Sequence, residues 1–215
     1  MFIHKCVPAT RTFTNRLLQA LGETESNFIT ITADIKKDIK WFINFIPKFN
    51  GIATYSYETP LDAHTIAIDA NLTRVGGVWG SQVYSAVIPE AVRKNKTITH
   101  FEMINILVAL QVWGQAWTGK HINLYVDNLA VVTVCQSGFT RDPTLAGYIR
   151  NIWLQTSIHN IKLRVHHIPG YRNVTADLLS RWEKSEKCNL KLAELVKNPE
   201  WRDVCDSYFK VNYEI

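Results

Sequence analysis

Four acidic residues, Asp69, Glu102, Asp127 and Asp177, stand at positions in this chain where a carboxylate can reach a reacting group. Asp69 lies near the end of the β-branched run His64-Thr-Ile-Ala-Ile-Asp-Ala70, and Asp127 ends the run His121-Ile-Asn-Leu-Tyr-Val-Asp127. In open α/β sheets, sites lie outside the carboxyl ends of the strands. Glu102 falls in the first turn of a long apolar run that starts at His100, and Asp177 in a short helical segment, Val174 to Arg181. Carboxylates in apolar surroundings are costly unless paired or metal-bound. Arg74, Arg172 and Arg181 are the cations nearest to them in sequence, and none is an evident salt-bridge partner. Four converging carboxylates therefore repel one another unless a cation neutralises them. Oxygen-only ligands select hard cations, so two Mg²⁺ or Mn²⁺ are expected rather than zinc. Two such ions about 3.5–4 Å apart serve an in-line phosphoryl displacement, with one carboxylate bridging them and the others completing the shells.

Each acid also has a structural reading. Asp69 could begin a turn through Thr73, and Glu102, three residues after Thr99, fits a capping box. Asp127 and Asn128 could cap the next helix, and Asp177 could be a solvated helix residue. The joint pattern of four argues for a site more strongly than any member alone. His167, at the end of the strand-like run from Lys162, is either a structural histidine or a mobile proton carrier at a leaving group. His166 beside it points to the opposite face of that strand.

The elements that must position these residues divide the chain into three zones. Residues 1–60 read as helical, with candidates over Thr10 to Leu21 and Ala33 to Ile46. In the second of these, Ile35, Ile39, Phe42, Ile43 and Ile46 recur at helical spacing, Pro47 ends the pattern, and Asn50-Gly51 marks a turn. Residues 61–182 carry five strands: His64 to Ala70, Gly76 to Trp79, Gln82 to Val87, His121 to Asp127 and Lys162 to His166. Gly80-Ser81 joins the second and third as a hairpin. Helices are expected over His100 to Trp117, apolar almost all round and so buried, over Pro143 to Thr156, and after Asn173. The order predicts an α/β fold, a five-stranded mixed sheet with helices on its faces. Residues 183–215 are charged and less regular, with short helices over Leu190 to Val196 and Trp201 to Phe209, and read as a tail or the stub of a further domain.

Composition sets the outer limits. An apolar share of 47% with 20% charged residues suits a globular chain with a real core. A net charge of +5 suits a polyanionic partner without requiring one. Cys6, Cys135, Cys188 and Cys205 have no short paired spacing, which argues against a zinc knuckle or a disulfide framework. No apolar stretch approaches a membrane span, and no secretion signal opens the chain. An intracellular protein with reduced thiols and no membrane partner is expected; the residues do not choose between cytoplasm and nucleus.

The segment His167-Ile-Pro-Gly-Tyr-Arg-Asn-Val-Thr-Ala-Asp-Leu-Leu-Ser-Arg181 resembles the end of the ribonuclease H domain of retroelement polyproteins. With Ile68-Asp69-Ala70, His100-Phe-Glu102 and Tyr125-Val-Asp127-Asn128, it looks like the DIRS-like group, retrotransposons that encode tyrosine recombinases. Ile35 to Gly51, with Lys40-Trp41-Phe42, resembles the connection between their reverse transcriptase and ribonuclease H parts. The likeness runs over roughly residues 5–182. It implies a ribonuclease H fold and a two-metal endonuclease that cuts the RNA strand of RNA–DNA hybrids. Asp69 would bridge both metals, Glu102 and Asp127 complete one shell and Asp177 the other, and His167 would be the catalytic histidine. Asn173 would order the loop between His167 and Asp177. A reverse transcriptase domain of the same polyprotein is the implied partner, although the polymerase's paired-Asp signature is absent here. Arg74 departs from the family, which usually has a small or aromatic residue there.

A hybrid duplex displays its 2′-hydroxyls in a wide, shallow minor groove. Asn71, Thr73 and Asn128 are candidates by position to touch them, and Arg141, Arg150, Lys162, Arg164 and Arg172 to grip phosphates, or simply to form a solvated basic surface. Two other functions compete: a catalytically idle nucleic-acid-binding or structural module of the same fold, and a resolvase-like enzyme acting on DNA.

Overall fold

A computed structural model describes residues 9–22, 28–48, 63–183 and 185–210. The expected turn at Asn50-Gly51 and the thiol of Cys6 lie outside the described residues. Two helices come first, α1 (Ala9–Gly22) and α2 (Ala33–Phe45). Thr32 caps α2, its hydroxyl accepting the Ile35 N–H at 3.3 Å, and Pro47 lies in a single 3-10 turn, Ile46–Lys48.

The isoleucine stripe expected on α2 is only partly buried. Ile35 is inside, but Ile39, Ile43 and Ile46 are exposed, and Trp41 and Phe45 take the buried face with Asp38. The aromatic rings offer more apolar area than the isoleucines. Trp41 stacks on Phe13 of α1 at 3.9 Å between centroids and on Phe45 at 4.6 Å.

The sheet begins as an antiparallel meander: β1 (His64–Ala70), β2 (Arg74–Trp79) and β3 (Gln82–Val87). The β2–β3 turn uses Gly80 at φ 59°, a left-handed value that glycine adopts without a Cβ clash. A short helix, α3 (Glu90–Arg93), leads into α4 (Ile98–Trp113), buried along nearly its whole length. Then come β4 (His121–Val126), α5 (Leu129–Ser137), α6 (Pro143–Ile158), β5 (Lys162–His167) and α7 (Val174–Ser180). Asp142 caps α6, accepting from Thr144 and Leu145 N–H, and Pro143 takes the first helical position.

The strand order is β5-β4-β1-β2-β3-β6, with β4 parallel to both β1 and β5. The fold is therefore the expected α/β mixed sheet flanked by helices. Among the described residues the sheet has six strands rather than five. After α8 (Glu186–Leu195), the two-residue β6 (Glu200–Trp201) pairs parallel with β3. So short a strand carries no alternation to read in a sequence.

One face of the sheet holds the main core. Ile66, Ile68, Tyr84 and Leu124 meet Ile106, Leu107, Leu110 and Trp113 of α4, and Phe209 joins them from a 3-10 turn, Asp206–Phe209. On the other face, Val83 meets Leu179, Trp182, Leu192 and Val196. Phe13, Trp41, Phe45 and Leu154 form a third cluster between α1, α2 and α6. There Arg150 lies buried with its guanidinium 3.1 Å from Asp38 and 4.7 Å from the Phe13 ring. It is thus a buried ion-pair partner, not one of the phosphate-gripping surface cations considered above.

Candidate active site

The carboxyl end of β1 is fixed from both faces. On one side Asn105 of α4, fully buried, donates through Nδ2 to Asp69 O at 2.8 Å and Gly76 O at 3.0 Å, and its Oδ1 accepts the Tyr84 hydroxyl at 2.7 Å. A buried amide with these bonds made locks the strand ends to the helix. On the other side α7 comes so close to β2 that a Cβ on Gly76 would lie 2.4 Å from the Ser180 backbone nitrogen. Gly76 faces Asp69 in register. The close approach therefore sets Asp177, Ser180 and Arg181 beside Asp69.

Glu102 reaches the same point from α4. The expected capping box at Thr99 is not the one formed. Thr97 is the N-cap, its N–H donating to His100 Nδ1 at 3.1 Å, while His100 Nε2 lies 3.1 Å from Asp142. This frees Glu102 from capping. Its Oε1 accepts the Ala70 N–H at 3.0 Å, and its Oε2 is buried with no partner among the described residues. Asp127 follows β4. Asn128 alone caps α5, accepting from Ala130 and Val131 N–H at 3.0 and 3.3 Å, so the Asp127 carboxylate stays outside the cap.

Asp69, Glu102 and Asp127 each bring an oxygen within 4.8 Å of the others, Asp127 being the most open to solvent. This donor set suits a hard divalent cation. The unpaired Oε2 of Glu102 is a second mark of fit, because a buried carboxylate oxygen without a partner is costly. Burial first, with Asp127 and Asp177 adding to it, pushes the Asp69 carboxyl up to about 6 against the pull of Ser180 and Arg181. Burial and then Asp69 hold the Glu102 carboxyl well above the usual range, despite the Ala70 hydrogen bond. Without a cation, then, this cluster resists full ionisation.

Asp177 lines the same open cleft, of about 620 Å³, but stands outside the three-acid cluster. Its Oδ1 accepts a hydrogen bond from Arg181 Nε at 2.8 Å, so it does have a cationic partner. The spacing of four on a helix was the available signal. His167 is exposed at the end of β5, in register with Val126, and lies outside the cleft lining.

The expected polar contacts are largely engaged within the protein. Asn71 Oδ1 accepts from the N–H of Thr73 and Arg74 and from the Thr73 hydroxyl, and its Nδ2 donates to Ser180 O. Asn128 Nδ2 lies 3.4 Å from the Thr99 hydroxyl. Asn173, buried, donates to Ile68 O at 2.9 Å and keeps Oδ1 unpaired. Between β5 and α7, a Cβ on Gly170 would stand 3.1 Å from Asp127 Oδ2, so the loop passes directly over that carboxylate. Asn105, Ser180 and Gly170 carry no sequence signal of their own; their roles depend on what packs against them.

No family model matches the chain, and no curated protein matches it. Solved structures similar to it include RNase H1 from the halophilic archaeon Halobacterium salinarum NRC-1, at 19% identity and a TM-score of 0.44, over 54% of this chain and 93% of that one. A Prototype Foamy Virus protease-reverse transcriptase is similar at 12% identity and a TM-score of 0.37, over 75% of this chain and 22% of that one. A foamy viral protease-reverse transcriptase dRH in complex with double-stranded DNA is similar at 10% identity and a TM-score of 0.39, over 78% of this chain and 32% of that one. Among the described residues, no helix is long and apolar enough to cross a membrane.

Proposed function

We propose that this chain is a metal-dependent endonuclease that hydrolyses the RNA strand of RNA–DNA hybrids, as part of a DIRS-like retroelement. The observation that carries the reading is the meeting of Asp69, Glu102 and Asp127 within 4.8 Å, with one Glu102 oxygen buried and unpaired. In this reading Asp69, Glu102 and Asp127 hold one Mg²⁺ or Mn²⁺, and Asp69 with Asp177 a second. The chemistry supplied by such a pair is polarisation of the phosphoryl oxygens and activation of water. Asp69 is fixed through its backbone by Asn105 and Glu102 through its bond to Ala70, so these two hold their positions as substrate arrives. Asp177, which is paired with Arg181, lines the same cleft and would complete the second shell. His167, exposed at the end of β5, delivers a proton to the leaving oxygen. Thr73 and Asn128 touch the 2′-hydroxyls, Asn71 holds Thr73 in place, and Asn173 orders the loop. The reverse transcriptase of the same polyprotein is the proposed partner.

Purified protein with Mg²⁺ or Mn²⁺ is given labelled RNA–DNA hybrid, duplex DNA and duplex RNA. The reading expects cleavage of the RNA strand of the hybrid only, abolished by Asp69→Asn. Binding without cleavage would instead indicate an idle module, and cutting of duplex DNA a resolvase-like enzyme.

A further inference from the structure

The first turn of α4 carries Glu102, and side chains tie that turn to the starts of two other helices. Thr97 is the N-cap, and His100, 8% exposed, stands at the third helical position. His100 Nδ1 accepts the Thr97 N–H at 3.1 Å, so the ring hydrogen sits on Nε2 and is donated to Asp142 Oδ2 at 3.1 Å. Asp142 is the N-cap of α6, and its other oxygen accepts the Thr144 and Leu145 N–H groups at 2.8 and 3.1 Å. One imidazole thus joins the caps of two helices. On the other side of the turn, Asn128, the N-cap of α5, stands with Nδ2 3.4 Å from the Thr99 hydroxyl.

Capping α4 does not require a histidine. Glutamate or glutamine at the third helical position completes the ordinary capping box, and both favour a helix more than histidine does. What histidine adds is a second ring nitrogen, facing away from the first, and that nitrogen reaches α6. A side chain bonded at both ends fixes where the helix end stands as well as how it starts. Residues two apart on a helix point about 200° apart, so His100 holds α6 while Glu102 faces β1. The Glu102 carboxylate meets the Ala70 N–H at 3.0 Å and stands within 4.8 Å of Asp69 and Asp127. Those distances depend on where the first turn of α4 is anchored.

We propose that His100 is a positioning residue for Glu102: its bond to Asp142 anchors the first turn of α4 on α6 and so sets the Glu102 carboxylate against Ala70 and the other two acids. The consequence for metal binding rests on the nuclease reading above. The consequence for the Glu102–Ala70 bond does not.

The test compares variants that keep both caps but differ in the link between them. His100→Glu keeps the capping box and sets a carboxylate against Asp142. Asp142→Asn keeps the α6 cap and an acceptor for His100, and in the double variant its amide can donate to the new glutamate. The first readout is hydrogen exchange of the Ala70 amide, followed by NMR on the full chain in EDTA. His100→Glu should speed that exchange by about tenfold or more, Asp142→Asn should match the parent, and the double variant should recover most of the loss. Asp142→Ser, which still caps α6 but is too short to reach His100, should behave as His100→Glu does and serves if that variant does not fold. The second readout is Mn²⁺ affinity by electron paramagnetic resonance, which His100→Glu should weaken by roughly tenfold. Ala70 exchange at the parent's rate in folded His100→Glu or Asp142→Ser overturns the proposal, as does a double variant no better than His100→Glu. A parent without Mn²⁺ affinity would overturn the metal reading instead, and the Ala70 exchange would still decide the role of His100.

Discussion

Replacing Asp69 with asparagine should make the metal-free protein more stable, although it removes a candidate ligand. Asp69 is 5% exposed, and its carboxyl is pushed from 3.8 up to about 6. A folded-state pKa above the unfolded value means that the folded chain binds the proton more tightly. The stability this lends is fully present below about pH 4 and is lost as pH rises through about 6. The rise corresponds to about 3 kcal/mol, an order-of-magnitude figure at about 1.4 kcal/mol per pH unit. Asparagine keeps the shape and an acceptor oxygen but carries no charge. In EDTA at pH 7.5, Asp69→Asn should therefore melt higher by about 6–12 °C for a chain of this size, and the gap should close near pH 4. Adding Mg²⁺ at pH 7.5 should raise the parent's Tm and leave the variant's almost unmoved, because binding to the folded state alone stabilises it. Thermal melts followed by circular dichroism at pH 4, 6 and 7.5, with and without Mg²⁺, measure all of this. A variant equal to or below the parent in EDTA at pH 7.5 would refute the reasoning, as would a gap that ignores pH.

Gly76→Ala should lower the Tm, since its Cβ would meet the Ser180 and Leu179 backbone at 2.4 and 2.5 Å; a cost of about 1–3 kcal/mol is expected in denaturant melts. Arg150→Ala leaves the 1%-exposed Asp38 without its cation and should cost about 3–5 kcal/mol; a loss under about 1 kcal/mol would show that the pair does not join α2 to α6. His167→Ala should slow hybrid cleavage by about a hundredfold while leaving Mn²⁺ affinity, read by electron paramagnetic resonance, where it was. Unchanged rates across neutral pH would remove His167 from the mechanism.

The fold was legible where a short-range pattern set the outcome. The β-branched run His64–Ala70 and the strand-like Gln82–Val87 form strands, and the apolar run expected as a buried helix over His100 to Trp117 is one over Ile98–Trp113. Local chemistry also offered Asn128 as a cap and named the acids closing two strands. Short-range patterns misled where two local readings competed. Thr99 and Glu102 have the spacing of a capping box, yet the helix starts two residues earlier and Thr97 forms the box with His100. On α2 the isoleucine period and the aromatic period both fit a helix, and only the neighbours on α1 and α6 chose Trp41 and Phe45.

Which residues carry charge, which turns need glycine and which segments form strands or helices can be read along the chain, because these follow from interactions within a few residues. Long-range packing is what brings Asp69, Glu102 and Asp127 within 4.8 Å of one another. It alone decided that Asp38 meets Arg150 across 112 positions and that Phe209 enters the core. Burial and charge pairing at these places depend on chain segments far apart in sequence, and no local period encodes which of them will be neighbours.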